Sequence, residues 1–576
     1  MHNPKLKKIA FLSGDEAVAQ AAYEEGLEFA ASYPGTPATE ILEYLAGFRE
    51  IDSQWSVNEK VAFEVALASA IAGRRSLFAA KHVGLNVAMD PLMTSAYVGV
   101  LAGFLIVSCD DPGLHSSQNE QDNRYIAKMA KLPLFELSSP SEAREFVSTA
   151  FKLSESFDTP VILRLTTRVA HSKQDLLLGE RKTYARKAFK PDAAKYVMVP
   201  RNALQRHIVL EKRIEKLERY AESSPLNKVE IKNRKLGFVS GSVAYLYAKE
   251  MYPDASFLKL GMSFPFPSKK VKEFAAKVKE LVIVEELEPF LEEQVRMLGL
   301  KIKTKHPSFR IGELRPEYIP YIMKGKEKPK EAQLSRRPVM CPGCSHRPVF
   351  SVLKKLKLVV SGDIGCYTLA ALPPLNILHS CLCMGAGITF FEGFKRTLKE
   401  NVVGVIGDST FVHSGIPGLI NLSYNQTKGL VIILDNATTA MTGNQPHPAT
   451  GKTIQGKETK KLILEDICRA SGADNVDVVD PHNIAELEGI IKKRLNEESL
   501  SVLIARSPCR LLGCERTEPP IYKKEGCKKC YICLSLDCPA LKKTEDGFIQ
   551  INQNTCVGCN LCVEFCKFQA LVKNEK

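Results

Sequence analysis

The sequence predicts an α/β fold of doubly wound parallel-sheet domains, followed by a small cysteine-rich domain of another kind. Three observations carry this. Helical stretches alternate with short apolar strands over most of the chain, which is the pattern of a parallel sheet. At 576 residues the chain is too long for one hydrophobic core. From Glu518 onward aliphatic residues are few, and eight of the 17 cysteines fall between Cys527 and Cys566.

In chain order, Ala17–Ala30 reads as a helix, and Pro34-Gly35-Thr36-Pro37 as a turn that opens another. Glu59–Ala72 is helical, with Val61, Val65, Ala68 and Ala72 on one face. Leu101–Val107 and Val161–Leu165 are strands. These elements make a first domain, 1–180. A Lys/Arg-rich, weakly periodic stretch follows, 181–234, read as a linker with a charged helix. A middle α/β domain spans 235–330, with strands at Lys235–Gly241 and Leu281–Glu285. Lys324–Arg337 is a charged connector. A third α/β domain, 331–516, has strands at Leu358–Val360, Val402–Ile406, Leu430–Leu434 and Val502–Ile504. The cysteine-rich tail is 517–576.

The net charge of +14 is spread among interleaved acidic residues, so a solvated mixed surface is expected and nucleic acid is not. No run of ~18 apolar residues exists, so no membrane span is expected. No apolar signal core follows the basic start, which points to the cytoplasm. Clustered cysteines in such a protein favour metal or catalysis over disulfides.

The tail reads Cys527-x2-Cys530-x2-Cys533-x4-Cys538-Pro539, then Cys556-x2-Cys559-x2-Cys562-x3-Cys566. Short Cys-x2-Cys spacings wrap one loop around three corners of a cubane. The pattern is similar to two-cluster bacterial ferredoxins, in which the fourth cysteine of each run ligates the other cluster. That crossed rule assigns Cys527, Cys530, Cys533 and Cys566 to one [4Fe-4S] cluster. Cys538, Cys556, Cys559 and Cys562 go to the other. Zinc is the competing reading, and paired runs of four disfavour it. The first run has one extra residue before Cys538, and Lys567 stands where a Pro is usual; neither removes a ligand.

Gly407-Asp408-Ser409 ends one strand and Asp435-Asn436 ends the next, with room between for one crossover helix. Both ends therefore lie at the carboxyl edge of a parallel sheet, where α/β proteins bind ligands. Asp408 and Asn436 offer hard oxygens suited to Mg²⁺ with phosphate oxygens completing its shell. Gly407 permits close backbone approach to that phosphate.

These segments resemble thiamine-diphosphate enzymes, which carry Gly-Asp-Gly and then Asn-Asn at this separation. The resemblance implies Thr438 as a backbone-carbonyl Mg²⁺ ligand. It implies Glu59, in Val57-Asn58-Glu59-Lys60, as the carboxylate on the cofactor's aminopyrimidine; a helix-dipole partner is the plainer reading. It implies that Leu382-Cys383-Met384-Gly385-Ala386 supports the bent cofactor. Tyr33-Pro-Gly-Thr-Pro-Ala-Thr-Glu40 resembles the start of 2-oxoacid:ferredoxin oxidoreductases, where Thr36 would contact the substrate carboxylate. Cys341-Pro-Gly-Cys344, Gly362-Asp-Ile-Gly-Cys366 and Thr442–Pro448 are similar to the alpha subunits of the indolepyruvate-type branch. No Arg matches the one that pyruvate enzymes place on the carboxylate, and Arg124 is the substitute considered. His413 and His447 are pocket residues or core histidines.

The fold implied is two thiamine-diphosphate-binding α/β domains, 1–180 for the pyrimidine and 331–516 for the diphosphate, with a ferredoxin-like α+β tail. The activity implied is oxidative decarboxylation of aryl pyruvates with CoA, giving an arylacetyl-CoA and CO₂, with electrons passing to ferredoxin. A small beta subunit is the implied partner. A ferredoxin oxidoreductase of pyruvate or another 2-oxo acid, a non-oxidative thiamine decarboxylase and a non-catalytic electron-transfer subunit are the competing readings. Cys341, Cys344, Cys366 and Cys509 are expected to hold a third [4Fe-4S] cluster. Buried cysteines or a redox Cys-Pro-Gly-Cys pair are the alternatives. Lys523, Lys524, Lys528, Lys529 and Lys567 surround the tail as a docking face for an acidic ferredoxin, or as a solvated basic face.

Overall fold

The computed structural model describes residues 8–330 and 337–574, and divides the chain into two compact units, Met1–Ala332 and Gln333–Lys576. Part of the connector expected at Lys324–Arg337 lies outside the described residues. No helix among those described is long and apolar enough to cross a membrane.

The first unit is built on a seven-stranded sheet in the order Met262–Phe264, Leu134–Glu136, Val161–Thr166, Phe104–Asp110, Ser76–Lys81, Phe29–Ser32, Asp52–Trp55. Six strands are parallel, and the edge strand Met262–Phe264 runs antiparallel. That edge strand comes from the middle segment, so the first sheet is not confined to 1–180. Residues 227–284 add a four-stranded sheet with apolar clusters around Phe238 and Phe257 and around Leu258 and Phe290.

Three local expectations differ. The helix read over Ala17–Ala30 is Gly14–Glu24, and Phe29–Ser32 is a buried strand. Gly26, at φ +75°, breaks the helix, while the Ala-rich strand carries no β-branched signal. The helix Glu59–Ile71 buries Glu59, Ala62, Phe63, Ala66 and Ala70 rather than the face of Val61 and Val65. Its true core face holds one large side chain, so apolar periodicity chose the wrong stripe. The segment read as a linker with a charged helix, 181–234, contributes packed structure, because its helix Pro200–Ser223 buries Leu210, Arg213, Leu217 and Ala221. Just before it, Lys173–Leu177 pairs antiparallel with Ile9–Ser13.

The second unit holds a five-stranded, wholly parallel sheet in the order Val359–Ser361, Val402–Gly407, Gly429–Asp435, Leu500–Arg506, Asn475–Val479. The tail folds as a hairpin, Leu541–Lys543 with Ile549–Ile551, and a strand pair, Ile521–Tyr522 with Leu571–Val572. Its small core of Leu541, Ile549, Ile551 and Leu571 packs on Cys533. The tail is joined to the sheet by the buried Arg347. Its guanidinium donates to the carbonyls of Leu536 and Asp537 in the tail, and to those of Met340 and Cys341 beside the sheet.

Candidate functional site

Strands Val402–Gly407 and Gly429–Asp435 are parallel neighbours, so Asp408 and Asn436 meet at one sheet edge. Asp408 Oδ2 accepts the Ala437 N–H at 2.9 Å, and Oδ1 accepts the Ser409 N–H at 2.8 Å. Thr438 N–H donates to Asn436 Oδ1 at 3.2 Å. Thr439 Oγ1 donates to Ser409 Oγ at 2.9 Å. The structure thus gathers Asp408, Ser409, Asn436 and Thr438 into one buried turn cluster.

Burial alone would raise the Asp408 carboxyl, but His447 and the Ser409 N–H outweigh it, leaving Asp408 more acidic than an ordinary carboxylate. His447 is buried, and its Nε2 stands 3.3 Å from Asp408 Oδ2. An anionic carboxylate among neutral oxygens is a donor set suited to a hard cation and its phosphate. His346, which sequence reasoning passed over, has Nε2 3.3 Å from Asn436 Nδ2. Burial, opposed by Asp408, lowers its pKa to about 4. His413 is buried and its Nδ1 lies 2.6 Å from Ser414 Oγ.

At Gly407 a Cβ would stand 3.1 Å from the Tyr367 ring, and the N–H donates to Tyr367 Oη at 2.9 Å. The absence of a Cβ at Gly407 also leaves room for the Tyr367 ring. Cys383, Met384 and Gly385 precede the helix Ala386–Thr397, with Cys383 exposed and Gly385 at φ +93°. Asp363, within the Gly362-Asp-Ile-Gly-Cys366 motif, holds this segment by accepting the Gly385 and Gly387 N–H groups at 3.0 and 2.7 Å. Burial raises its pKa to about 6 against those bonds.

Twelve of the 17 cysteines sort into three groups. Cys538, Cys556, Cys559 and Cys562 line one apolar cavity, against Pro342 and Gly343. Cys527, Cys530, Cys533 and Cys566 line another, with Lys528 and Lys529 at its wall. Cys366 is the neighbour of Cys344, Cys509 and Cys341; burial, then these thiols, push it up to about 12. Burial also pushes Cys344 and Cys533 up to about 11. Crowded thiols disfavour each other's ionisation, and a bound cation relieves that repulsion. Cys509 N–H donates to the Asn436 carbonyl at 2.9 Å, which ties the third group to the Asp408 edge.

In the first unit Glu59 is buried at the start of its helix, capped by Asn58, which accepts the Val61 N–H at 3.0 Å. Gly84 packs on its carboxylate, where a Cβ would stand 2.5 Å from Oε1. The Thr36 carbonyl accepts from Ser116 Oγ at 3.0 Å. Lys81 belongs to the same sheet end, and sequence reasoning missed it. Arg124 is not available to a substrate. It is buried, and its guanidinium donates to Asp122, Glu285 and the carbonyls of Glu286 and Glu288.

The family models divide the chain as the sites do. A thiamine-diphosphate-binding model of pyruvate flavodoxin/ferredoxin oxidoreductase matches residues 20–233. The C-terminal TPP-binding domain of thiamine pyrophosphate enzymes matches 363–505, and a 4Fe-4S binding domain matches 549–572. The indolepyruvate oxidoreductase subunit IorA of Archaeoglobus fulgidus is 38% identical, the alignment covering 97% of each chain. That of Methanothermobacter marburgensis is 39% identical with the same coverage, and that of Thermococcus kodakarensis is 38% identical over 97% of this chain and 96% of its own. The chain belongs to the indolepyruvate oxidoreductase IorA family. As an IorA-family chain it is the alpha subunit of a thiamine-diphosphate-dependent, ferredoxin-linked oxidoreductase that decarboxylates 2-oxo acids. It binds 4Fe-4S iron–sulfur. The 4Fe-4S match spans the second cysteine run, Cys556 to Cys566.

Proposed function

We propose that this IorA-family chain oxidises aryl pyruvates with CoA, in a complex with a small beta subunit, and holds Mg²⁺ and three [4Fe-4S] clusters. The observation that carries this is the grouping of twelve cysteines into three quartets within the unit that holds the Asp408 edge. The quartet of Cys341, Cys344, Cys366 and Cys509 adjoins Asn436 through the Cys509 N–H. The next cavity abuts the Cys341–Cys344 loop, and the last carries exposed lysines. This order supports a relay from the thiamine edge to a basic docking face.

When bound, thiamine diphosphate supplies the electron sink for decarboxylation. The chain's residues would bind and orient it. Asp408, Asn436 and the Thr438 carbonyl would hold Mg²⁺ on the diphosphate. Neutral His346 orients the Asn436 amide. Asp363 fixes the Cys383–Gly385 turn that would support the cofactor. Glu59 would exchange a proton with the aminopyrimidine ring, and Thr36 would contact the substrate carboxylate. The aryl preference rests on the relatives' names, indolepyruvate oxidoreductase. A panel of 2-oxo acids with CoA and a viologen acceptor tests it. Indolepyruvate and phenylpyruvate are expected to exceed pyruvate and 2-oxoglutarate in kcat/KM. A preference for pyruvate or 2-oxoglutarate overturns the substrate reading.

A further inference from the structure

A 2-oxo acid enters its site as an anion, and the arginines near the Thr36 end of the first sheet are engaged. Arg124 is bound to Asp122 and Glu285, Arg164 to Asp110 and Glu136, and Arg168 to Glu313. Lys81, at the same sheet end, is a cation with donors to spare. It ends the strand Ser76–Lys81, half-buried at the carboxyl edge of the sheet. Its ammonium donates to the Ser116 carbonyl at 2.7 Å, in an exposed bond, and makes no other hydrogen bond among the described residues. An ammonium has three N–H donors, so two remain for a ligand.

The surroundings of Lys81 are those already assigned to substrate and cofactor. The Lys81 stem lies against Gly35, where a Cβ would stand 3.2 Å from its Cδ, so the glycine before Thr36 makes room for this lysine. Ser116, whose carbonyl it holds, donates through Oγ to the Thr36 carbonyl at 3.0 Å. Glu59 and Asp111 are its charged neighbours. We propose that Lys81 binds the carboxylate of the 2-oxo acid, with Thr36 beside it, and so fills the place for which the sequence offers no arginine. The inference rests on the 2-oxo-acid reading above. Burial pulls the ammonium down to about 8, against the opposing pull of Asp111 and Glu59, so a bound carboxylate would restore charge lost to desolvation.

The test uses the full complex carrying Lys81→Met or Lys81→Arg. The Met variant is expected to raise KM for an aryl pyruvate roughly 10–100-fold, with KM for CoA, thiamine diphosphate and iron contents unchanged. The Arg variant should recover most of the affinity. The cationic form is the one that binds, so wild-type KM should climb as pH passes about 8, a limb the Arg variant lacks. An unchanged 2-oxo-acid KM in the Met variant, or a loss confined to kcat, overturns the proposal. If the Met variant does not fold, the pH limb of wild type against Lys81→Arg decides instead, and identical profiles overturn it. Wild-type complex that oxidises no 2-oxo acid would instead remove the reading on which the proposal stands.

Discussion

Replacing Glu59 by Gln keeps the side chain's shape against Gly84 and removes its proton exchange. Turnover is expected to fall by ~10²–10⁴ while thiamine diphosphate still binds. Near-normal turnover in a viologen assay would show that Glu59 serves only its helix. Asp408→Ala removes the charged member of the Asp408, Asn436 and Thr438 oxygen set. Cofactor content after dialysis against a chelator is expected to drop sharply relative to wild type; unchanged content would place Mg²⁺ elsewhere. Asp408 and Asn436 stood out in the sequence only in company with the cysteine-rich tail, since Gly-Asp and Asp-Asn alone would equally mark two strand-end turns. Asp363, His346 and Lys81 were not legible as site residues. Each acts through backbone or loop contacts that only the folded chain brings near: two glycine N–H groups, the Asn436 amide and the Ser116 carbonyl.

Strands buried on both faces announce themselves as apolar runs, and four of the five in the parallel sheet of the second unit were legible that way. Asn475–Val479 was not, because it is an edge strand whose polar residues stay half-exposed. Phe29–Ser32 was absorbed into a helix because Ala gives no period of two. The cysteine loops were the most legible elements, since their spacing is chemistry rather than propensity. Arg347 was missed, although it fastens the tail to the Cys341–Cys344 loop. Arg347→Leu would orphan buried carbonyls of Leu536, Asp537 and Met340, at about 1–3 kcal/mol for a buried unsatisfied group. Faster proteolytic release of the tail, with a lower Tm, is the expected result; wild-type resistance would show that the staple is dispensable. For the same reason the third quartet is better tested in the full chain than by truncation. Cys344→Ser is expected to lower iron by one cluster and leave the eight tail cysteines loaded. Iron content equal to wild type would show that Cys341, Cys344, Cys366 and Cys509 hold no cluster.

Across the whole molecule, one compact unit unites a thiamine-type sheet edge with three cysteine quartets, and the last quartet faces exposed Lys528 and Lys529. That arrangement predicts electrostatic steering of an acidic ferredoxin, so its reduction rate should fall as salt rises. A salt-independent rate would leave the lysines as a solvated face. The parallel-sheet class was readable from the sequence, but the sharing of the first sheet with a strand from the middle segment was not, since Met262–Phe264 is a short antiparallel edge. The central claim is that decarboxylation and cluster reduction are one process in this chain. Anaerobic mixing of the oxidised complex with an aryl pyruvate and CoA, followed by EPR and CO₂ measurement, tests it most directly. The account predicts reduced-cluster signals that appear with CO₂ and are absent without substrate. Release of CO₂ to an aldehyde with the clusters left oxidised would contradict it.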